Sequence, residues 1–215
     1  MIFKRNKNKE GKPVLISAVP KRWETKRLIL KPYTKEDFNP WIDIREKSRT
    51  HLQPWEPTWA SDILSKESFD KRVLFNTHQW EKDLGYCMLA HRKEDHQIVA
   101  GVNLTQIRKT ASMSSGILGY WCGANYLRQG YVYESVIKMI QMAFGQIGIE
   151  RIQAACMLSN EASMALLKKA GFQEEGIARN YLKIRGAWTD QMIFSLLKSD
   201  VYGAAKTLSS SETAL

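Results

Sequence analysis

Cysteine is scarce in this chain. Cys87, Cys122 and Cys156 are the three among 215 residues, widely spaced and without a CxxC pair. That excludes a disulfide framework. The four histidines, His51, His78, His91 and His96, form no close pair with a cysteine at zinc spacing, so no metal is expected. Long apolar runs are also missing: none approaches the roughly 20 residues that span a bilayer. The run Val14 to Val19 is shorter than the core of a signal peptide, about 7–15 residues. A reduced, cytoplasmic protein is the expectation. No internal repeat and no low-complexity tract occurs.

What is present suffices for a packed core: 44% of residues are apolar and 10% aromatic. The length fits one large domain or two small ones. The net charge of +10 is uneven. Residues 1–31 hold ten Lys/Arg against Glu10 and Glu24, a net of +8, which leaves +2 for the remaining 184 residues. The positive charge thus belongs mainly to an N-terminal arm, either a solvated tail or an element drawn to RNA or a ribosome.

The local patterns divide the chain into a basic N-terminal extension over 1–22, a folded domain over 23–203 and a polar tail over 204–215. Strands are expected at Thr25–Pro32, Gly85–His91, Gln97–Ile107, Ser115–Trp121, Arg151–Met157, Phe172–Ile184 and Trp188–Leu197. Helices are expected at Thr34–Thr50, capped by Thr34, and at Lys66–Lys82. A third carries Val132, Val136, Ile137, Ile140, Ala143, Phe144 and Ile147 at helical spacing, and a short one spans Glu161–Ala170 before Gly171. Strands interleaved with helices in this order give one α+β domain with a mixed sheet.

Leu127-Arg128-Gln129-Gly130-Tyr131-Val132 lies between a strand and a helix. Gly130 permits a tight turn and close approach to bare backbone. Unpaired N–H groups opening the following helix then form an anion site, with Arg128 as a side-chain cation. The alternative is an ordinary strand-to-helix turn.

Together with Asn160-Glu161-Ala162-Ser163 and Gly171-Phe172, this order resembles the GNAT family of acetyl-CoA-dependent N-acetyltransferases, and within it the RimJ type that acetylates a ribosomal protein's N-terminal alanine. The resemblance runs from about Trp23 to Leu197. It includes Thr25 to Leu28, the Pro54-Trp55-Glu56-Pro57 loop, Leu118-Gly119-Tyr120, Glu174 to Gly176, Tyr181-Leu182 and Gly186 to Asp190. Two positions depart from the family's phosphate loop: Leu127 replaces a polar residue and Val132 a small one. The resemblance implies a GNAT fold, a mostly antiparallel sheet of six to seven strands with a splayed central pair and flanking helices.

It also implies acetyl-CoA as co-substrate. Trp121 and Cys122, Leu127 to Val132, and Asn160 and Ser163 would bind it, with a backbone N–H near Cys122 polarising the thioester. Leu167 stands where many members have a proton-donating tyrosine, so Ser163, one turn earlier, would take that role. Each has a bland alternative: Asn160 as a plain helix cap, Ser163 as a solvent-facing first-turn serine.

Glu56, fixed between prolines beside Trp55, is the candidate base, with a surface ion pair as its alternative reading. Glu175 and Asn180 are expected near the substrate entrance, and Trp55 in the substrate slot. Cys122 and Cys156 read as buried strand residues rather than nucleophiles. The expected acceptor is a protein N-terminus, plausibly of a ribosomal protein. A small amine such as a polyamine or aminoglycoside, or a ribosome- or RNA-binding factor with little catalysis, are the alternatives. No membrane partner is expected.

Overall fold

A computed structural model of the protein describes residues 19–203 and two short antiparallel strands, β1 (Asn6–Lys7) and β2 (Pro13–Val14). Most of the expected extension over 1–22 and the tail over 204–215 lie outside the described residues, and the arm's expected RNA contact with them. Among the described residues, no helix is long and apolar enough to cross a membrane.

The body is an eight-stranded sheet in the order β3-β4-β5-β6-β7-β8-β10-β9. Its strands are β3 (Trp23–Glu24), β4 (Leu28–Pro32), β5 (Tyr86–Arg92), β6 (Ile98–Lys109), β7 (Ser114–Cys122), β8 (Arg151–Met157), β9 (Gln173–Ile184) and β10 (Ala187–Leu197). The seven expected strands all form, and the two-residue β3 joins them at one edge. Alternation sorts β5 cleanly. Tyr86, Met88 and Ala90 enter the larger core, whereas Leu89 and Cys87 face the smaller one.

The larger core lies under α4 (Tyr131–Met142), whose Val136, Met139 and Ile140 are buried against the sheet. The smaller core lies under α1 (Phe38–Lys47) and α3 (Lys66–Glu81), where Trp41, Phe69 and Val73 pack on Leu89 and Ile98. The helix expected over Thr34–Thr50 is broken. It opens as a 3₁₀ turn (Lys35–Asp37), in which the Asp37 carboxylate accepts from the Thr34 N–H and O–H at 2.8 and 2.9 Å. It ends at Ser48 and resumes as α2 (Arg49–Leu52). Buried Ser48 turns its hydroxyl outward to accept from the Ala124 N–H at 2.8 Å, which ties this break to the loop after β7.

One irregularity organises the molecule. All neighbouring strands of the large sheet are antiparallel except β7 and β8, which pair in parallel through only Ser115↔Arg151, Gly116↔Ile152 and Ile117↔Gln153. Beyond that, β7 stays with β6 as far as Ala100↔Cys122, and β8 stays with β10 as far as Gln191↔Met157. The two strands therefore part in mid-sheet, as the splayed pair requires.

Helix α4 is fastened at its N-terminal end by the turn between β3 and β4. The Glu134 carboxylate accepts from Thr25 Oγ1 (2.5 Å), the Arg27 N–H (2.8 Å) and Arg27 Nε (2.7 Å). Burial pushes this carboxyl up, but the Thr25 and Arg27 bonds together hold it below its usual value. A depressed carboxyl contributes stability above its unfolded pKa, near ~4.3, that is lost as pH falls through its folded pKa. We expect Glu134→Gln to cost about 1–2 kcal/mol at pH 7. The melting-temperature gap to the parent should then close on acidification below about pH 4, as followed by circular dichroism.

Candidate active site

The parted strands open a cleft of about 750 Å³, in the range of small-molecule sites. Its walls are Leu118 to Cys122 on β7 and Ala154 to Met157 on β8. Both stretches have lost their ladder partner on the facing edge. Buried backbone groups require hydrogen-bond partners, so this gap suits an extended ligand with amides of its own.

At one end the cleft reaches the turn into α4. Gly130 has φ 81° and Arg128 φ 59°, both left-handed, and no side chain caps the first N–H groups of α4. A non-glycine residue held there costs of order 1–3 kcal/mol and persists where its surroundings impose it. Leu127, Arg128, Gly130, Tyr131 and Val132 line the cleft. Gln129 does not: its Nε2 donates to the Asn125 carbonyl at 2.9 Å, and its own carbonyl accepts from Arg27 Nη1 at 2.9 Å. The expected Gln129 contact is thus confined to its backbone. Val132 is buried in the larger core, so its branched side chain does not obstruct the turn. Arg27 also stacks on Tyr131, 4.5 Å from the ring centroid, and places a second cation beside the turn.

Midway along the cleft, Asn160 caps α5 (Glu161–Lys169), its Oδ1 accepting from the Ser163 N–H at 3.1 Å. The capping reading of Asn160 therefore holds, while the residue still lines the cleft. Ser163 faces the cleft rather than solvent, and its Oγ lies 2.7 Å from the Tyr120 hydroxyl across the gap. Leu167 is buried in the core.

Cys122 and Cys156 also line the cleft, but burial pushes both thiols up, Cys122 to about 11. Such thiols hold little thiolate at neutral pH, which supports their reading as packing residues. Trp121 points its indole at the other face. It covers Gly101, where an added Cβ would lie 2.1 Å from the ring nitrogen. Gly123 is similarly required, since a Cβ there would meet Ile44 at 2.4 Å.

The opposite end is walled by His51, Leu52, Trp55 and Glu56 and by Leu182, Ile184 and Gln191. Here the expectation for Glu56 changes. Its oxygens accept from Arg45 Nη1 (2.9 Å), Arg45 Nη2 (2.5 Å) and Trp59 Nε1 (2.7 Å). Arg45 is buried and stacks on Trp59, Trp41 and Trp121 at 4.6, 6.0 and 5.3 Å. Glu56 is a bound anion that anchors the Pro-Trp-Glu-Pro loop, not an unpartnered carboxyl in an apolar setting.

Glu175 is likewise occupied. Arg151 and then Ser195 hold it below the usual carboxylate range, and it does not line the cleft. Asn180 is outside the lining as well, with its N–H donating to Asp190 Oδ1 at 2.9 Å. Sequence reasoning passed over Tyr120, Arg27 and Arg45 as site residues. Tyr120 and Arg27 stood inside quoted motifs, but their partners are distant in the chain.

The family model for the acetyltransferase (GNAT) domain matches residues 27–173, more than half of the chain. The protein belongs to this family. It is an N-acetyltransferase by that membership. It is 26% identical over 185 residues to the Escherichia coli [ribosomal protein uS5]-alanine N-acetyltransferase, covering 86% of this chain and 95% of that one. The ribosomal-protein-S5-alanine acetyltransferase of Vibrio fischeri superposes with a TM-score of 0.77 at 27% identity, over 83% of this chain and 97% of that one. Mycobacterium smegmatis RimJ, solved in complex with CoA-disulfide, gives 0.76 at 23% identity over 83% and 89%. Among the described residues, no group of three or more His, Cys, Asp or Glu side chains is placed to hold a metal ion.

Two outcomes test the two ends of the cleft. Gly130→Asp adds a negative charge and a Cβ at φ 81°, and should weaken acetyl-CoA binding at least tenfold by calorimetry. Glu56→Gln should lower stability by about 1–3 kcal/mol in urea unfolding while kcat of the folded enzyme stays within threefold. A hundredfold loss of kcat without loss of stability would restore Glu56 as the base.

Proposed function

We propose that this protein transfers the acetyl group of acetyl-CoA to the α-amine of a protein N-terminus, with a ribosomal protein as acceptor. The observation that carries this reading is the continuous cleft. It joins the parted edges of β7 and β8, the uncapped turn at Gly130 and the Ser163 hydroxyl in one space. The pantetheine amides would bridge the open edges, with Asn160 beside them. The pyrophosphate would rest on the first N–H groups of α4, with Arg128 and Arg27 nearby. The acetyl group would then lie near Cys122, and the acceptor would enter past Trp55 and Leu182.

The amine attacks the thioester carbonyl directly in a ternary complex, forming the N–C bond as the C–S bond breaks. Ser163 supplies a hydrogen bond to the departing sulfur. A thiolate with a parent pKa near ~8.5 leaves readily, so a weak acid suffices. Both carboxylates expected on the acceptor side are committed to arginines, Glu56 to Arg45 and Glu175 to Arg151. Besides Glu56, the cleft lining holds one other carboxylate, Glu161, and one histidine, His51.

An acceptor that is partly neutral unaided fits such a site. An α-amine near pKa ~8 is about one-tenth neutral at pH 7, a lysine amine only about one part in a few thousand. The relatives named for the uS5 alanine point to the same acceptor class.

The test is mass spectrometry of alanine-starting ribosomal-protein peptides incubated with enzyme and acetyl-CoA, beside spermidine and an aminoglycoside. A single acetyl group on the peptide α-amine is expected, with kcat/KM levelling off near pH 8. Turnover confined to the polyamine, still rising past pH 9, would overturn the reading.

A further inference from the structure

We propose that Tyr120 takes part in catalysis as a positioning residue, acting through Ser163 to aim its hydroxyl at the sulfur that leaves the thioester. This rests on the acetyl-transfer reading above. Tyr120 stands on β7, three residues past Ile117, the last one paired with β8. Its phenol reaches across the gap to α5, where its oxygen lies 2.7 Å from Ser163 Oγ and 3.4 Å from the Ser163 carbonyl. Cys156 lines the opposite wall of the cleft. Asn160 fixes the Ser163 backbone through its N–H. Ser163 is therefore held at its oxygen from β7 and at its backbone by its own helix cap, where all three residues line the cleft.

A serine hydroxyl carries one proton and two acceptor positions. A proton spent on Tyr120 would leave nothing for the sulfur. Burial raises the Tyr120 phenol far above neutral pH, and it raises Cys156 as well. Tyr120 therefore keeps its proton in the working range and is available as a donor to Ser163 Oγ. The one Ser163 proton is then free to face the cleft.

As the amine nitrogen bonds to the carbonyl carbon, the C–S electron pair passes to sulfur, which leaves as a thiolate accepting a hydrogen bond from that proton. The amine releases its own proton to water. Tyr120 touches neither acetyl group nor acceptor in this scheme. It sets the direction of a group that does.

The alternative is that Tyr120 only wedges the strands apart. A double-mutant cycle separates the two, because Tyr120→Phe keeps the ring and removes the hydroxyl. Tyr120→Phe should lower kcat about tenfold with KM for acetyl-CoA unchanged within twofold. On a Ser163→Ala background it should add nothing. An equal loss in both backgrounds, or a change in KM and melting temperature without one in kcat, would overturn the proposal.

Should Tyr120→Phe fold poorly, replacing Tyr120 with 3-fluorotyrosine supplies a more acidic donor of nearly the same shape. It should alter kcat only when Ser163 is present, and an unchanged kcat there counts against the proposal. A parent enzyme that acetylates no amine would sink the functional reading instead, so the two failures are distinguishable.

Discussion

The separation of β7 from β8 after three paired residues is the constraint on which the rest of the structure depends. Each strand keeps its outer neighbour along its length, so the sheet stays intact while its middle opens. An internal sheet edge without a partner is a liability unless something occupies it. The amide-bearing arm of coenzyme A fits that vacancy in the proposed function. The same opening lets Tyr120 on β7 reach Ser163 on α5 across the cleft, with Cys156 of β8 in the same lining.

Positive charge is organised around this opening in two ways. At the α4 end, Arg27 and Arg128 stand beside uncapped N–H groups, which favours an anion. At the acceptor end, Arg45 is buried in an aromatic box and neutralised by Glu56. The first leaves Arg128 and the uncapped N–H groups for a ligand, Arg27 being paired with Glu134. The second consumes a charge pair to hold a loop in place, and Trp55 with it. Truncating one partner of such a pair costs more than the pair itself stabilises.

Much of the fold was legible because alternation and helical spacing are local signals. Arg151–Met157 was placed to the residue, and the strands of the β9–β10 hairpin within one. The break at Ser48 was not, since its cause is a hydrogen bond to Ala124, 76 residues away. The site divided along the same line. Gly130, Asn160 and Ser163 belong to short motifs and do line the cleft. Glu56 and Glu175 looked available because their arginines lie 11 and 24 positions away, on other elements. Gln129 turned to Asn125, one turn back, which no motif records.

The fastening of α4 by Thr25 and Arg27 joins residues 107 to 109 positions apart. The turn at Gly130 is therefore not a module that folds by itself. It takes shape only when β4, at one side of the sheet, has found its place, late in the ordering of so distant a contact. In the proposed function, occupancy of that turn by acetyl-CoA thus reports on the whole tertiary structure rather than on a loop. On that reading, a chain that has begun to lose the β3–β4 end of its sheet would release acetyl-CoA before its core melts.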